Sequence, residues 1–274
     1  MPIRLDIDEN APAIKGILFD KDGTLLNFVA LWGKWCELVM EHVGAELRRK
    51  LPSRLPAAGL PALLGVICDA EGKVVDYREE GLLSTGTNEK IREAITCFAV
   101  SAGMEAAEAA AIVSESIRLA NLGIERLRPV QARTFLPQFL ELCRDSGLRL
   151  AVVTADETED ALKHLEWMGL THYFDCVIGN DKVPNGKPHP DMVLMACEKL
   201  GLAPSEIAVI GDTESDMRMG RSAGAAMTIA IMPEGKISGG DRGTGSPYGS
   251  ADVLINSYEQ LLHTLTIEIE EIAK

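Results

Sequence analysis

Short apolar runs recur along the chain, each closing on a polar or glycine position and each followed by a helical stretch. Lys15-Gly16-Ile17-Leu18-Phe19 closes on Asp20, and Leu148-Arg149-Leu150-Ala151-Val152-Val153 closes on Thr154. Phe174-Asp175-Cys176-Val177-Ile178 closes on Gly179, and Ile207-Ala208-Val209-Ile210 on Gly211-Asp212. Two more runs lie at 226–231 and 252–255. Continuous apolar runs that alternate with helices predict a parallel sheet covered on both faces, a doubly wound α/β fold. Asp156 followed by Glu159 predicts a capping box for a helix over 158–168 that Gly169 ends, and a helix beginning near Glu214 is expected to end at Gly224.

The rhythm breaks between residues 28 and 130. Apolar residues there recur at helical spacing over 29–43, 89–100 and 105–122. Only Gly65-Val66-Ile67-Cys68 and Lys73-Val74-Val75, flanking Asp69-Ala70-Glu71-Gly72, predict a hairpin. The expected organisation is a catalytic core of residues 1–27 and 131–274, with a mainly helical cap domain, 28–130, inserted after the first strand. Both ends of the insert return to one edge of the sheet, which suits a lid over whatever binds there. A Gly/Ser-rich loop is expected over 235–249.

Composition narrows the function classes. The 274 residues are 46% apolar and 25% charged, as in a globular protein with a sizeable core. Forty-one acids against 27 bases leave a net charge of −14. Such a surface repels phosphate backbones and anionic lipid, so neither nucleic acid nor a membrane is expected as a partner. The longest uncharged stretch, 55–68, contains Pro56 and Pro61 and falls short of a bilayer span, and the first nine residues are acidic where a signal peptide is basic. A cytoplasmic monomer or homodimer is expected. The six cysteines (36, 68, 97, 143, 176, 197) form no CxxC and read as buried reduced thiols; the five histidines form no metal-type pair.

The chemistry-bearing residues cluster by position. In open parallel sheets ligands bind beyond the carboxyl ends of the strands, where Asp20, Thr154 and Asp212 all fall. Asp20-Lys21-Asp22-Gly23-Thr24 puts two carboxylates on one tight turn, and such like charges call for a cation between them. Asp212 and Asp216, in Gly211-Asp212-Thr213-Glu214-Ser215-Asp216, supply further oxygens one helical turn apart. Four acids with no nearby His or Cys suit Mg²⁺. Lys187, in Asn185-Gly186-Lys187-Pro188, offers a point charge for an anion. Taken singly, Asp22 reads equally well as a turn former, Thr154 as a helix cap and Asp216 as a solvated acid.

Taken together and in this order, Asp20-x-Asp22-Gly23-Thr24, Thr154, Lys187 and Gly211-Asp212-x-x-x-Asp216 resemble the four motifs of the haloacid dehalogenase-like hydrolase superfamily. Only the gap from Asp20 to Thr154 is long, which places the cap between the first and second motifs. The resemblance implies a Rossmann-like core and a phosphatase working through an aspartyl-phosphate. Asp20 is then the nucleophile, Asp22 the general acid and base, and Lys187 the counter-charge. Thr154 and Ala155 are expected to hold the phosphoryl group, with backbone N–H groups around Gly23 and Thr24 completing the cradle. Mg²⁺ is expected on Asp20, Asp212 and the backbone carbonyl of Asp22, with Asp216 on the ion or on its waters.

The Asp-x-Asp-Gly-Thr-Leu start, Gly211-Asp212-Thr213 and the Ala223-Gly224 turn are similar to the phosphoglycolate phosphatase-like group, so the expected substrate is a small phosphorylated metabolite, phosphoglycolate-like or a sugar phosphate. Lys21, where that group is usually apolar, and the long insert with its hairpin depart from it. The other readings are a phosphomutase of the same superfamily and a non-catalytic phosphate-sensing protein. In the cap, Phe28, Trp32 and Trp35 read first as packing, Ser84-Thr85-Gly86-Thr87 as an N-cap, and Arg48-Arg49-Lys50 with Arg54 as a solvated face. His189 is the remaining candidate for a contact near the site.

Overall fold

The structure is a computed structural model that describes residues 3–4, 13–51, 59–234 and 248–262. Arg54 and most of the 235–249 loop lie outside the described residues. The chain divides into two compact units, one of residues 1–27 with 130–274 and one of residues 28–129.

The first unit is built on six strands: β1 (Gly16–Phe19), β2 (Arg149–Val153), β3 (Cys176–Ile178), β4 (Ile207–Gly211), β5 (Met227–Ile231) and β6 (Val253–Ile255). Their spatial order is β6-β5-β4-β1-β2-β3, and every neighbouring pair is parallel. Strand β1 pairs with β2 on one side and β4 on the other, so the winding direction switches at β1. In sheets of this kind the crevice lies at that switch, off the carboxyl ends of the strands.

Both faces of the sheet are covered, which is why its strands are apolar without alternation. On one face Ile17, Phe19, Leu150, Val152 and Ile210 pack with Leu136, Phe139 and Leu140 of helix Leu136–Asp145 and with Tyr258. On the other, Leu18, Ala151, Val153 and Val209 pack with Met192, Val193 and Ala196 of helix Asp191–Leu200 and with Met219 of helix Glu214–Ala223. Burying one leucine or phenylalanine contributes about 1.5–3 kcal/mol, so these two layers hold β1 and the residue that follows it against displacement. Gly224, at φ 80°, ends its helix in the left-handed conformation that glycine adopts without penalty.

One expected cap is replaced. The helix after β2 runs Thr158–Trp167, and Asp156 does not cap it. Asp181 does, accepting from both the N–H and the hydroxyl of Thr158 at 2.7 Å. Asp156 is drawn instead to a buried lysine, described below.

The second unit holds helices Lys34–Lys50, Leu60–Leu64, Leu82–Thr85, Asn88–Ser101 and Ala106–Leu127, with an antiparallel hairpin of Val66–Cys68 and Val74–Tyr77. Its first turns, Val29–Gly33, are a π-helix. The last helix continues past Gly123, beyond the expected end at 122. A Cβ on Gly123 would meet Leu38 Cδ1 at 2.7 Å, so this glycine permits a close helix–helix approach and does not act as a stop. Among the described residues no helix is long and apolar enough to cross a membrane.

All six cysteines are free thiols. Cys36, Cys143 and Cys197 are buried as expected, whereas Cys97 is exposed on the outer face of its helix.

Candidate active site

Asp20 follows β1 directly, and its N–H donates to the Ile210 carbonyl at 2.8 Å, which seats it against the end of β4. Asp212 follows β4, and Asp216 lies in the first turn of helix Glu214–Ala223. The three carboxylates converge: one oxygen of each lies within 4.8 Å of the others, and Asp20 and Asp216 are nearly fully buried, at 6% and 1% exposure. Asp216 is fixed by a reciprocal cap. Its Oδ2 accepts from the Thr213 N–H at 3.1 Å and from the Thr213 hydroxyl at 2.5 Å, while Thr213 Oγ1 accepts from the Asp216 N–H.

Lys187 enters the same cluster. Its ammonium donates to Asp20 Oδ1 and lies 2.7 Å from Asp216 Oδ1. One cation among three buried acids leaves net negative charge. Burial, with Asp216 and Asp22 nearby, pushes the Asp20 carboxyl up to about 7 against the pull of Lys187. Burial and the Asp20 and Asp216 charges hold Asp212 well above the usual carboxylate range. Burial disfavours the Lys187 charge, yet Asp20 and Asp216 outweigh it and hold the ammonium protonated. A group of carboxylate oxygens, buried and short of positive charge, fits a hard divalent cation.

The turn after Asp20 is braced from below. Gly23 has φ 82°, and a Cβ there would come within 2.0 Å of Asp212 Oδ2, so glycine is required for the backbone and for the carboxylate beside it. The Gly23 N–H donates to the Leu26 carbonyl at 2.9 Å. That N–H is engaged in the turn itself. Arg133, 3% exposed, donates to the Gly23 carbonyl at 2.6 Å and to the Met232 carbonyl at 2.7 Å. The Tyr258 hydroxyl donates to the Thr24 carbonyl at 3.2 Å, and the Thr24 hydroxyl reaches Asp212 Oδ1 at 3.4 Å. Arg133 and Tyr258 carry no local motif, and the sequence offers no signal for either.

Thr154 follows β2, fully buried, with its N–H on the Ile178 carbonyl at 3.0 Å. Its hydroxyl oxygen accepts from the Asp156 N–H at 3.2 Å, so the hydroxyl hydrogen is left to point elsewhere. Ala155 is the next residue, at the same strand end. Asp22 stands apart from the convergent acids: its Oδ1 accepts from Lys21 Nζ at 2.6 Å. Lys21 is fully buried, with Asp156 Oδ2 at 3.0 Å and His164 Nδ1 at 3.2 Å.

His189 is exposed. Within the second unit Phe28 stacks on Tyr77 at 4.3 Å, Trp32 meets Trp35 edge-on, and Trp35 Nε1 donates to Asn121 Oδ1 at 2.7 Å. Thr87 caps helix Asn88–Ser101, accepting from the Lys90 N–H, while Arg49 pairs with Glu46 and Lys50 with Glu108.

A parallel sheet with its switch at β1, and acids at the ends of β1 and β4 facing one lysine, define a Rossmann-like hydrolase core. The sequence model of the haloacid dehalogenase-like hydrolases matches residues 14–224, and the chain belongs to that family. It is 27% identical to the phosphoglycolate phosphatase of Escherichia coli K12, over 94% of this chain and 95% of that one. It is 35% identical over 96 residues to the phosphoglycolate phosphatase of Aquifex aeolicus, covering 35% of this chain and 45% of that one. Among solved structures, a predicted phosphoglycolate phosphatase from Haemophilus somnus superposes with a TM-score of 0.65 at 21% identity, over 91% of this chain and 97% of that one. A HAD phosphatase from Thermococcus onnurineus superposes with a TM-score of 0.59 at 25% identity, over 92% and 98%.

Proposed function

We propose that the protein is a Mg²⁺-dependent phosphatase of a small phosphorylated metabolite, with phosphoglycolate the first substrate to try. The observation that carries this reading is the convergence of Asp20, Asp212 and Asp216 at the switch point of the sheet, with Lys187 paired to Asp20 and Asp216. Full-length similarity to a phosphoglycolate phosphatase supports the substrate class.

In this reading Asp20 attacks phosphorus in line with the ester oxygen. The new bond joins Asp20 Oδ to phosphorus, the phosphorus–ester bond breaks, and Asp22 gives a proton to the departing alkoxide. Water then attacks the aspartyl-phosphate, Asp22 takes the water's proton, and the Asp20 carboxylate and inorganic phosphate are released. Lys187 holds Asp20 in line and offsets the charge gathering on the phosphoryl oxygens, and the Thr154 hydroxyl donates to one of them. Asp20 and Asp212, with Asp216 beside them, would hold Mg²⁺, which when bound polarises the phosphoryl group and neutralises its charge. Burial of Asp20, Asp216, Lys187 and Thr154 keeps their interactions strong, because little water screens them.

The test is phosphate release from a panel of phosphoglycolate, sugar phosphates and nucleotides, run with Mg²⁺, with chelator, and with Asp20→Asn. Release that requires Mg²⁺ and vanishes in Asp20→Asn supports the proposal, and the ranking assigns the substrate. No release from any of them overturns it; conversion of one sugar phosphate to its isomer without release assigns a mutase instead.

A further inference from the structure

The Lys21 side chain is required neither by the convergent acids nor by the turn, which uses only the Lys21 carbonyl. Its side chain has no exposed surface, although it is a long cation. Burying a charge this deeply is strongly unfavourable before any partner is counted, and a buried ion pair rarely returns more than an apolar side chain of similar size. Stability therefore does not account for it.

Its surroundings do. Its ammonium donates to Asp22 Oδ1 at 2.6 Å, lies 3.2 Å from His164 Nδ1, and forms an ion pair with Asp156 Oδ2 at 3.0 Å. Two of these are fixed to the core. Asp156 lies on the loop that follows β2, its N–H tied to Thr154 Oγ1. His164 is buried on helix Thr158–Trp167, its ring 5.2 Å from that of Trp167. Burial, and then the Lys21 charge, pull the His164 imidazole down to about 4, so it is neutral and presents Nδ1 as an acceptor with its hydrogen on Nε2. The third acceptor, Asp22, keeps 19% of its side chain exposed above the buried lysine.

We infer that Lys21 is a positioning residue: anchored by Asp156 and His164, it holds Asp22 by Oδ1 so that Oδ2 is the oxygen that exchanges a proton with the leaving group. The inference rests on the proposed role of Asp22 as general acid. The Lys21 contact fixes which way the Asp22 carboxylate faces, and a misdirected acid loses much of a contribution worth about 10²–10⁴-fold. Lys21 itself gives up no proton in this scheme.

The experiment compares two leaving groups. One is the alkyl phosphate that ranks first in the panel above, whose alkoxide must be protonated as it departs. The other is 4-nitrophenyl phosphate, whose phenolate leaves unaided. Single-turnover release is measured for wild type, Lys21→Met, Asp22→Asn, and the double variant Lys21→Met/Asp156→Leu, which removes the buried charge pair together and so does not hang on an uncompensated acid. Lys21→Met and the double variant are expected to slow the alkyl ester about 10–100-fold and the aryl ester less than about 3-fold, as Asp22→Asn does more strongly. A merely structural role slows both esters alike. Equal losses on the two esters, or none, in the lysine variants while Asp22→Asn separates them would overturn the inference and leave the phosphatase reading intact. Equal losses in Asp22→Asn would remove the acid assignment, and the inference with it.

Discussion

Replacing Gly23 by alanine is the sharpest probe of how the catalytic turn and the acidic cluster depend on each other. Two effects follow from one methyl group. Gly23 sits at φ 82°, where an L side chain costs about 1–2 kcal/mol. The added Cβ would also lie 2.0 Å from Asp212 Oδ2 and 2.6 Å from its Cγ. The carboxylate must retreat by roughly 1 Å or more to reach an ordinary contact, and a catalytic group misplaced by about 1 Å loses about 10²-fold in rate. The neighbouring Thr24 hydroxyl, 3.4 Å from Asp212 Oδ1, offers too weak a hold to resist that shift. Gly23→Ala is thus expected to lower kcat about 100-fold and to raise the Mg²⁺ concentration for half-activity, while Tm without metal falls only about 2–8 °C. Steady-state phosphate release titrated with Mg²⁺, beside thermal melts in chelator, measures both. A variant with wild-type rate and Mg²⁺ dependence would refute the claim that Asp212 must stay where this glycine allows it.

Lys187→Met removes the ammonium shared by Asp20 and Asp216 and leaves both buried acids without it; a stability loss of about 3–5 kcal/mol is expected, read by urea unfolding, with phosphatase activity abolished. Thr213→Ala deletes the hydroxyl that both accepts the Asp216 N–H and grips its carboxylate, so about 1 kcal/mol of helix stability and part of the Mg²⁺ affinity go together in melts and Mg²⁺ titrations. Burial pushes the Asp20 carboxyl up to about 7 from 3.8 for the free side chain, so the folded state binds the extra proton: without metal, the Asp20 contribution to stability is fully present below about pH 4 and is lost as pH rises through 7. Mg²⁺ is expected to oppose that loss, since it favours the ionised acid, and melts from pH 4 to 8 with and without Mg²⁺ check the sign. Cys97, the exposed thiol, should react with a maleimide in the native protein, while Cys143 reacts only after unfolding; mass mapping of labelled peptides distinguishes them.

The strands were legible because a sheet covered on both faces writes uninterrupted apolar runs, and the acids were legible because each falls just past one of those runs. What stayed hidden depends on contacts between residues far apart in the chain. Asp156 and Glu159 spell a capping box locally, yet a buried lysine at 21 draws Asp156 inward, and Asp181 takes over the cap. The helix expected over 105–122 runs on to Leu127, and the Leu38 side chain that packs where a Cβ at Gly123 would stand is far away in the chain. Gly23 is legible as a turn glycine, but the commitment of its N–H to Leu26 and its closeness to Asp212 are not. Arg133 and Tyr258, which hold the carbonyls of Gly23 and Thr24, carry no spacing that marks them. Asp216 is visible as an acid one turn beyond Asp212, and only the fold shows that Thr213 fixes it and that it is buried.

The central claim is that Asp20 takes the phosphoryl group. It is tested most directly by mixing the Asp22→Asn variant, which lacks the base for the second step, with ³²P-labelled 4-nitrophenyl phosphate, whose leaving group needs no acid in the first, and Mg²⁺, quenching in acid, and mapping the label by peptide. The account predicts label approaching one phosphate per chain on the peptide that contains Asp20, and none in Asp20→Asn/Asp22→Asn. Label on another residue, or turnover with no protein-bound phosphate at any time, would contradict it.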